Sequence, residues 1–225
     1  MLGRGPEIRD CVVGFVFEGG LGPFADDQMR LHVEQAECDK CFDAEYGSCC
    51  AGQSDNDPHI IYKVNKAMKN PPLPPTERPT GPVKENKIFG DDIDLGALPV
   101  PFLRGDDGGK FLQTFGMHIV QTPNGDWVNW SITRGMIHDQ RSLVGPIIPK
   151  QDIGVIWQMW KDRETDMPWA LCFGVPPAAI TVGDMPIPKW TNEAGFIGAL
   201  SGSPIEVVKC ETNELRVPAN AEIVL

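Results

Sequence analysis

Between residues 71 and 82 the chain reads PPLPPTERPTGP, six prolines in twelve residues. No regular hydrogen-bonded element runs through such a stretch. Proline fixes φ and has no amide hydrogen, so a helix must stop before it and an interior strand cannot contain it. The segment favours an extended polyproline conformation and serves as a semi-rigid connector. Its Pro-x-x-Pro spacing also suits an SH3-type ligand, against the simpler reading of a spacer lying along a domain surface. A boundary near residue 80 follows. Just upstream, HIIYKVNKAMK over 59–69 places Ile60, Ile61, Val64 and Met68 at helical spacing, and Asn70-Pro71-Pro72 closes that short amphipathic helix. Residues 1–57 are rich in Gly, Asp and Cys, with little periodicity beyond a short helix around Asp26 to Glu37.

With 225 residues, 41% of them hydrophobic, the chain can bury one sizeable core, or a core plus a smaller domain. No apolar run approaches the ~18 residues of a membrane helix. The opening MLGRGPEIRDCVVGFVFEGG is interrupted by Glu18, Gly19 and Gly20, so neither a signal peptide nor a span is expected and a cytoplasmic location is. Lys and Arg total 20 against 31 Asp and Glu, a formal charge of -11, so the overall field repels nucleic acid and anionic membranes.

Of seven cysteines, Cys11, Cys38, Cys41, Cys49 and Cys50 fall within the first 50 residues. Cys38-x-x-Cys41 followed by Cys49-Cys50 has spacing that a zinc knuckle uses. Adjacent cysteines rarely supply two ligands to one ion, however, and reduced thiols are the competing reading. Cys172 and Cys210 lie in apolar runs and read as small core residues.

From Lys110 the pattern turns strand-rich. Lys110 to Val120 and Trp127 to Thr133 read as the two strands of a hairpin, with Asn124-Gly125 supplying the positive φ angles of the turn. Gln151-Asp152 precedes Ile153, Ile156, Trp157 and Trp160, a helix with Asp152 near its N-cap. Trp169 to Phe173, Ile205 to Cys210, Glu214 to Val217 and Glu222 to Leu225 read as strands, and Thr191 to Leu200 as a short helix. The apolar Ile223-Val224-Leu225 is expected to continue into a turn and a pairing partner. The whole suggests an α+β domain around an antiparallel sheet or barrel.

Val128-Asn129-Trp130-Ser131-Ile132-Thr133-Arg134 puts Asn129, Ser131 and Thr133 on one strand face and Trp130 and Ile132 on the other. Polar groups at that spacing, followed by an arginine, can meet a phosphate; an ordinary solvent-facing strand has the same pattern. A wider set of blocks bears on the choice: Pro79-Thr-Gly-Pro82, Lys84-Glu-Asn86, Asp107-Gly-Gly-Lys110, Gly116-Met-His-Ile-Val-Gln121, Asn129-Trp-Ser-Ile-Thr-Arg134, Pro168-Trp-Ala-Leu171, Phe173-Gly-Val-Pro-Pro-Ala-Ala-Ile180, Met185-Pro-Ile-Pro188, Glu193-Ala-Gly195, Val208-Lys-Cys210 and Val217-Pro218. In these, residues of about 71 to 225 resemble the UbiD-family decarboxylases of the fungal ferulic and phenacrylic acid type. Each block is weak alone, and their collinearity makes them specific.

The resemblance implies an antiparallel split β-barrel that binds prenylated flavin mononucleotide over residues 83–225, incomplete at its C-terminal side, preceded by the short helix and Pro-rich linker of 58–82 and an unmatched segment over 1–57. It implies nonoxidative decarboxylation of cinnamic- or ferulic-type acids. The strand that grips the flavin phosphate and its divalent ion would be Asn129, Trp130, Ser131, Ile132, Thr133 and Arg134. Asn129 and Glu193 are implied as ligands to Mn²⁺ or Mg²⁺, Ser131 as a phosphate contact, and Arg134 as a flavin and catalytic-network contact. A potassium ion is implied near Trp130, Val182, Gly183 and Met185, and Ile148 and Gln151 match substrate-facing positions. A homodimer, an aromatic acid substrate and a flavin prenyltransferase as cofactor source complete the implied partners.

Two departures from the family pattern matter. Asp152 stands where these decarboxylases carry a histidine ligand, so it either binds the metal through a shorter, charged group or only supports its helix. The family's acidic catalytic pair follows the strand matched by Glu222-Ile-Val-Leu225, and no such pair follows in this sequence. The alternative function is therefore a relative that holds a flavin or another anion without turnover.

Overall fold

The structure, a computed structural model, describes residues 64–67, 69–113 and 115–225, together with the backbone of Val13–Phe15. The helix expected around Asp26 to Glu37 and the cysteine cluster at Cys38, Cys41, Cys49 and Cys50 lie outside the described residues. Of the helix expected over 59–69, residues 64–67 are described and are helical. Among the described residues no helix is long and apolar enough to cross a membrane.

Six strands form the main sheet, in the order β3 (Asn86–Ile88), β1 (Val13–Phe15), β12 (Ile223–Val224), β9 (Trp169–Phe173), β5 (Met117–Gln121) and β6 (Val128–Ser131). Every neighbouring pair in it is antiparallel. Two three-stranded sheets flank it: β11 (Arg216–Pro218), β10 (Glu206–Lys209) and β2 (Thr76–Glu77) in one, and β4 (Phe111–Gln113), β7 (Gly135–Ile137) and β8 (Leu143–Val144) in the other. The result is a mixed α+β architecture with antiparallel sheets. Among the described residues no pairing closes a barrel.

Strand alternation decides what each face of the main sheet carries. Met117 and Ile119 of β5, Trp130 of β6 and Ala170 and Cys172 of β9 point one way, into a core shared with helices α2 (Pro177–Gly183) and α3 (Glu193–Ser201) and with Val207, Val208 and Val217 of the second sheet. Leu171 and Leu225 point the other way, against Ile93 and Leu95. Helix α1 (Asp152–Lys161) lays Ile153 and Ile156 on Val120 and Trp127. Strand β9 is thus covered on both faces, which explains its unbroken apolar run Ala170-Leu-Cys172. Cys172 is fully buried and Cys210 partly so, and burial drives both thiols up, that of Cys210 to about 12. Both are inert core residues, as their apolar context suggests.

Three expectations change in detail. The run from Lys110 to Val120 is two strands in two sheets, β4 and β5. The break is fastened by the fully buried Gln113, whose amide accepts from Gly116 N at 2.6 Å and donates back to the Gly116 carbonyl. The β5–β6 hairpin forms in the register Gln121↔Val128, but of its turn residues only Gly125 takes a positive φ, 80°. Thr122 and Asn124 instead tie the loop to the Asp126 carboxylate at 2.7 and 2.8 Å. The last strand is not an edge awaiting a partner: β12 lies between β9 and β1, with Leu171 and Leu225 exchanging backbone bonds at 2.9 and 3.0 Å.

The proline-rich segment lies along the domain. Its few non-proline amides are the ones used: Leu73 N donates to Gly195 O at 2.9 Å, Thr76 N to Ile205 O at 2.9 Å and Arg78 N to Val207 O at 2.8 Å. Thr76–Glu77 thereby adds to β10 as a short parallel strand, on an edge where proline neighbours are tolerated.

Candidate active site

Strand β6 ends the main sheet, so the amides on its outer side have no strand to bond. Side chains from the start of α3 take that place. Asn192 Oδ1 accepts from Val128 N at 2.8 Å, and Glu193 Oε2 accepts from Trp130 N at 3.0 Å. One residue earlier, the buried Trp127 indole donates to Thr191 O at 3.0 Å and stacks, tilted by 42°, on the exposed Trp190. Trp190 has φ 68°. That left-handed backbone is costly for a bulky side chain and turns the chain so that 191–193 can face β6.

Asn129 and Glu193 meet inside this junction, 3% and 5% exposed. Asn129 Nδ2 donates to Glu193 Oε1 at 2.9 Å, which leaves Asn129 Oδ1 buried with no partner. Ser131, two residues on and therefore on the same strand face, has its Oγ in the same condition. Unpaired buried oxygens are rare because each forfeits the hydrogen bonds it made in water. Two on one face leave acceptor oxygens that a cation or a hydrogen-bond donor could engage. The solvent-facing alternative for this strand is thereby removed.

Burial raises the Glu193 carboxyl to about 7, against the opposing hydrogen bonds from Trp130 and Asn129, and the neighbouring Asp152 charge pushes it further. Asp152 is the first residue of α1 and makes no capping hydrogen bond; the N-cap is Gln151, also without one. Burial raises the Asp152 carboxyl too, and Lys189, with Nζ 4.0 Å from Oδ1, draws it back. Asn129 and Glu193 are hydrogen-bonded, the Asp152 charge is felt at Glu193, and the three side chains offer Oδ and Oε oxygens. Hard oxygens in that number suit Mg²⁺ or Mn²⁺. Among the described residues no group of three or more His, Cys, Asp or Glu side chains gathers at metal-binding range, so an ion here would use two carboxylates and an amide.

The remaining candidates lie on β6 and the segment after it, just before α1, and at the end of α2. Trp130 is buried in the core, and its carbonyl lies against Gly183, where a Cβ would come within 3.4 Å of it. Val182 and Met185 belong to the same turn, their carbonyls accepting from Met185 N at 3.1 Å and Ile187 N at 2.8 Å. Ile132 and Thr133 follow the strand, and Thr133 Oγ1 donates to Pro146 O at 3.1 Å. Arg134 is exposed and its carbonyl is crossed closely by Gly145. Ile148 and Gln151 are both exposed, joined by the bond from Gln151 N to Ile148 O at 3.0 Å.

Sequence reading passed over Asn192, Lys189 and His118. A helix-start asparagine beside Glu193 is a recognisable signal, but its use on a distant strand is not.

Comparison with known proteins gives the family. Residues 75–225 match the family profile "UbiD: 3-octaprenyl-4-hydroxybenzoate carboxy-lyase Rift-related domain". The chain is 46% identical over 218 residues to a pyrrole-2-carboxylic acid decarboxylase of Pseudomonas aeruginosa, covering 97% of this chain and 42% of that protein. That alignment extends well into the segment 1–57, which the sequence motifs leave unmatched. A ferulic acid decarboxylase of Saccharomyces cerevisiae is 46% identical over 169 residues, 73% of this chain and 34% of its own length. Among solved structures, the closed form of a vanillic acid decarboxylase from Sedimentibacter hydroxybenzoicus superposes with TM-score 0.71 at 27% identity, over 77% of this chain and 38% of that one. An evolved dimeric form of the UbiD-class enzyme HmfF from Pelotomaculum thermopropionicum, in complex with prFMN, gives 0.66 at 28% identity, over 73% and 38%. The chain spans well under half the length of these relatives, and it belongs to the UbiD family.

Proposed function

We propose that this chain forms the phosphate- and metal-holding part of a prenylated-FMN decarboxylase acting on aromatic, heteroaromatic or α,β-unsaturated carboxylic acids of the cinnamic and ferulic type. The observation that carries the reading is the pair of unpartnered buried oxygens, Asn129 Oδ1 and Ser131 Oγ, on the strand face beside Glu193. In this reading Asn129, Glu193 and Asp152 offer oxygens to Mn²⁺ or Mg²⁺, and the Ser131 hydroxyl turns to a phosphate oxygen. The Trp130 carbonyl and the 182–185 turn offer carbonyl oxygens to a potassium ion. Arg134, exposed at the strand end, presents its guanidinium to the flavin and substrate carboxylate. Ile148 and Gln151 lie on the substrate side. The bound cofactor supplies the electron sink for loss of carbon dioxide, while the protein supplies orientation and charge. The relatives' names support a small aromatic acid as substrate, and a flavin prenyltransferase is the proposed source of the cofactor. A homodimer is the proposed assembly, in line with the dimeric HmfF form.

A second reading, binding without turnover, has one observation in its favour. Asn129 and Trp130 already engage both oxygens of Glu193, and Asp152 faces the same charge-holding region, so neither carboxyl is placed as a free proton donor. Calorimetry of FMN with MnCl₂ tests the site: the wild type binds, and Asn129→Ala and Glu193→Ala each weaken binding by about tenfold or more. Unchanged affinity in both variants would remove the assignment. Headspace detection of styrene from cinnamic acid with matured cofactor separates the readings, since only the first yields product.

A further inference from the structure

We infer that Asn192 is a positioning residue for this site: by taking the free edge amide of Val128, it sets the start of α3 so that Glu193 and Asn129 lock together and the Asn129 carbonyl oxygen is left for ligand. The inference rests on the proposed metal-phosphate reading for its consequence, but not for its structural content.

The argument begins with what Asn192 does not do. It occupies the N-cap of α3, where asparagine is among the preferred residues, yet its side chain makes no cap bond. Its oxygen goes instead to Val128 N at 2.8 Å, on a strand 64 residues away in sequence. Glu193 then reaches Trp130 N, two residues further along. Edge amides that face the same side recur every second residue, about 6.6–6.8 Å apart along a strand. Two consecutive residues at a helix start thus span one repeat of the strand edge, and a shift of α3 by one residue would break both bonds.

The same register selects the orientation of the Asn129 amide. With Glu193 Oε2 held by Trp130 N, Oε1 faces Asn129, and for the ionised carboxylate it is the NH₂ end of that amide that meets it. The carbonyl end must then point elsewhere, which is how Oδ1 becomes the unpartnered oxygen. Trp127, through its bond to Thr191 O, anchors the segment one step before Asn192 and makes no bond to the Asn129 amide. Because Asn192 is exposed, its replacement leaves the core packing in place.

The test is nuclear magnetic resonance on the full chain with Asn192→Ala and Asn192→Asp, alongside titration with MnCl₂ and FMN. In Asn192→Ala, the Trp130 backbone amide is expected to lose protection from exchange by about tenfold, and the Asn129 side-chain amide to lose its hydrogen-bonded shift, with the thermal midpoint nearly unchanged. Mn²⁺-dependent FMN affinity falls by about tenfold, the usual effect of losing a group that orients a ligand. Asn192→Asp, which keeps an acceptor for Val128 N, restores the Trp130 and Asn129 signals. If both signals survive Asn192→Ala intact, the positioning role is overturned, whatever the ligand does. Lost signals with unchanged FMN affinity also overturn it, because the junction would then be structural alone. A wild type that binds no Mn²⁺ and FMN refutes the proposed function, while the exchange data still decide the register argument.

Discussion

The indole Nε1 of Trp169 donates to Nδ1 of His118 at 2.7 Å, and the opposite ring nitrogen, Nε2, stands 3.3 Å from the Thr133 carbonyl. An indole only donates, so Nδ1 must accept and the single imidazole proton sits on Nε2, pointing at Thr133. A second proton would set two donors against each other. Burial adds to this by disfavouring the charged ring, and His118 is pushed down from 6.5 to about 4.

The sign of the stability effect follows. His118 has a lower pKa folded than unfolded, so on acidification the unfolded chain takes the proton first. Stability is full above about pH 6.5 and is lost as pH falls toward about 4. The loss amounts to about 3 kcal/mol from this residue. Glu193, raised by burial to about 7, acts with the opposite sign in an overlapping window. The difference between the wild type and His118→Gln isolates the histidine: urea denaturation should show the wild type losing stability more steeply with acid. Parallel curves for the two proteins would remove the assignment.

Gly154 lies in the first turn of α1, where a Cβ would come within 2.1 Å of the Ile148 carbonyl. In an open helix Gly→Ala stabilises by roughly 1 kcal/mol. Here the contact is with backbone that cannot swing aside, so Gly154→Ala is expected to destabilise by about 1–3 kcal/mol. The same substitution must separate α1 from Ile148 and Pro149. A variant more stable than the wild type in urea would show that the 148–151 turn is free to move.

Local chemistry made some of this legible from sequence. Trp169 to Phe173 is a strand because its run is apolar enough for burial on both faces, and Asp152 to Lys161 is a helix because Ile153 and Ile156 share a stripe. What sequence hid were relationships between distant segments. Gln113 splits one apparent strand in two by bonding Gly116, a feature no periodicity reports. The 177–183 helix begins with proline and alanine in a run that also suits a loop. Asn129 and Glu193 entered through family motifs, but the orientation of the Asn129 amide depends on three bonds across 63 and 64 residues.

Leu225 is 5% exposed, packs with Ile93, Leu95 and Leu171, and directly follows β12, which is bonded on both sides. Leu225→Ala should therefore cost about 2–5 kcal/mol, as in other buried leucines. Had the strand been an open edge, the change would stay within about 0.5 kcal/mol. Denaturant midpoints distinguish these outcomes.

Asp152 adds a second carboxylate to the proposed site. It is the first residue of α1, where the helix dipole favours a carboxylate, but with no capping bond its structural value is small: Asp152→Ala should cost only about 0.3–1 kcal/mol of stability. Its electrostatic cost to the proposed site is larger in kind. Burial raises the Glu193 carboxyl and the Asp152 charge adds to it; in the proposed site that charge would also oppose an anionic phosphate. Lys189, at 4.0 Å and 53% exposed, offsets only part of that charge. Replacing the carboxylate with a neutral imidazole removes the repulsion and keeps a metal ligand. Asp152→His is therefore expected to tighten Mn²⁺-dependent FMN binding by about tenfold, or about 1.4 kcal/mol, while the thermal midpoint of the metal-free protein moves little. Titration calorimetry with MnCl₂ present and absent checks both halves of the claim. A variant that loses stability and gains no affinity would assign Asp152 to its helix alone and leave Asn129 and Glu193 to offer oxygens to the divalent ion.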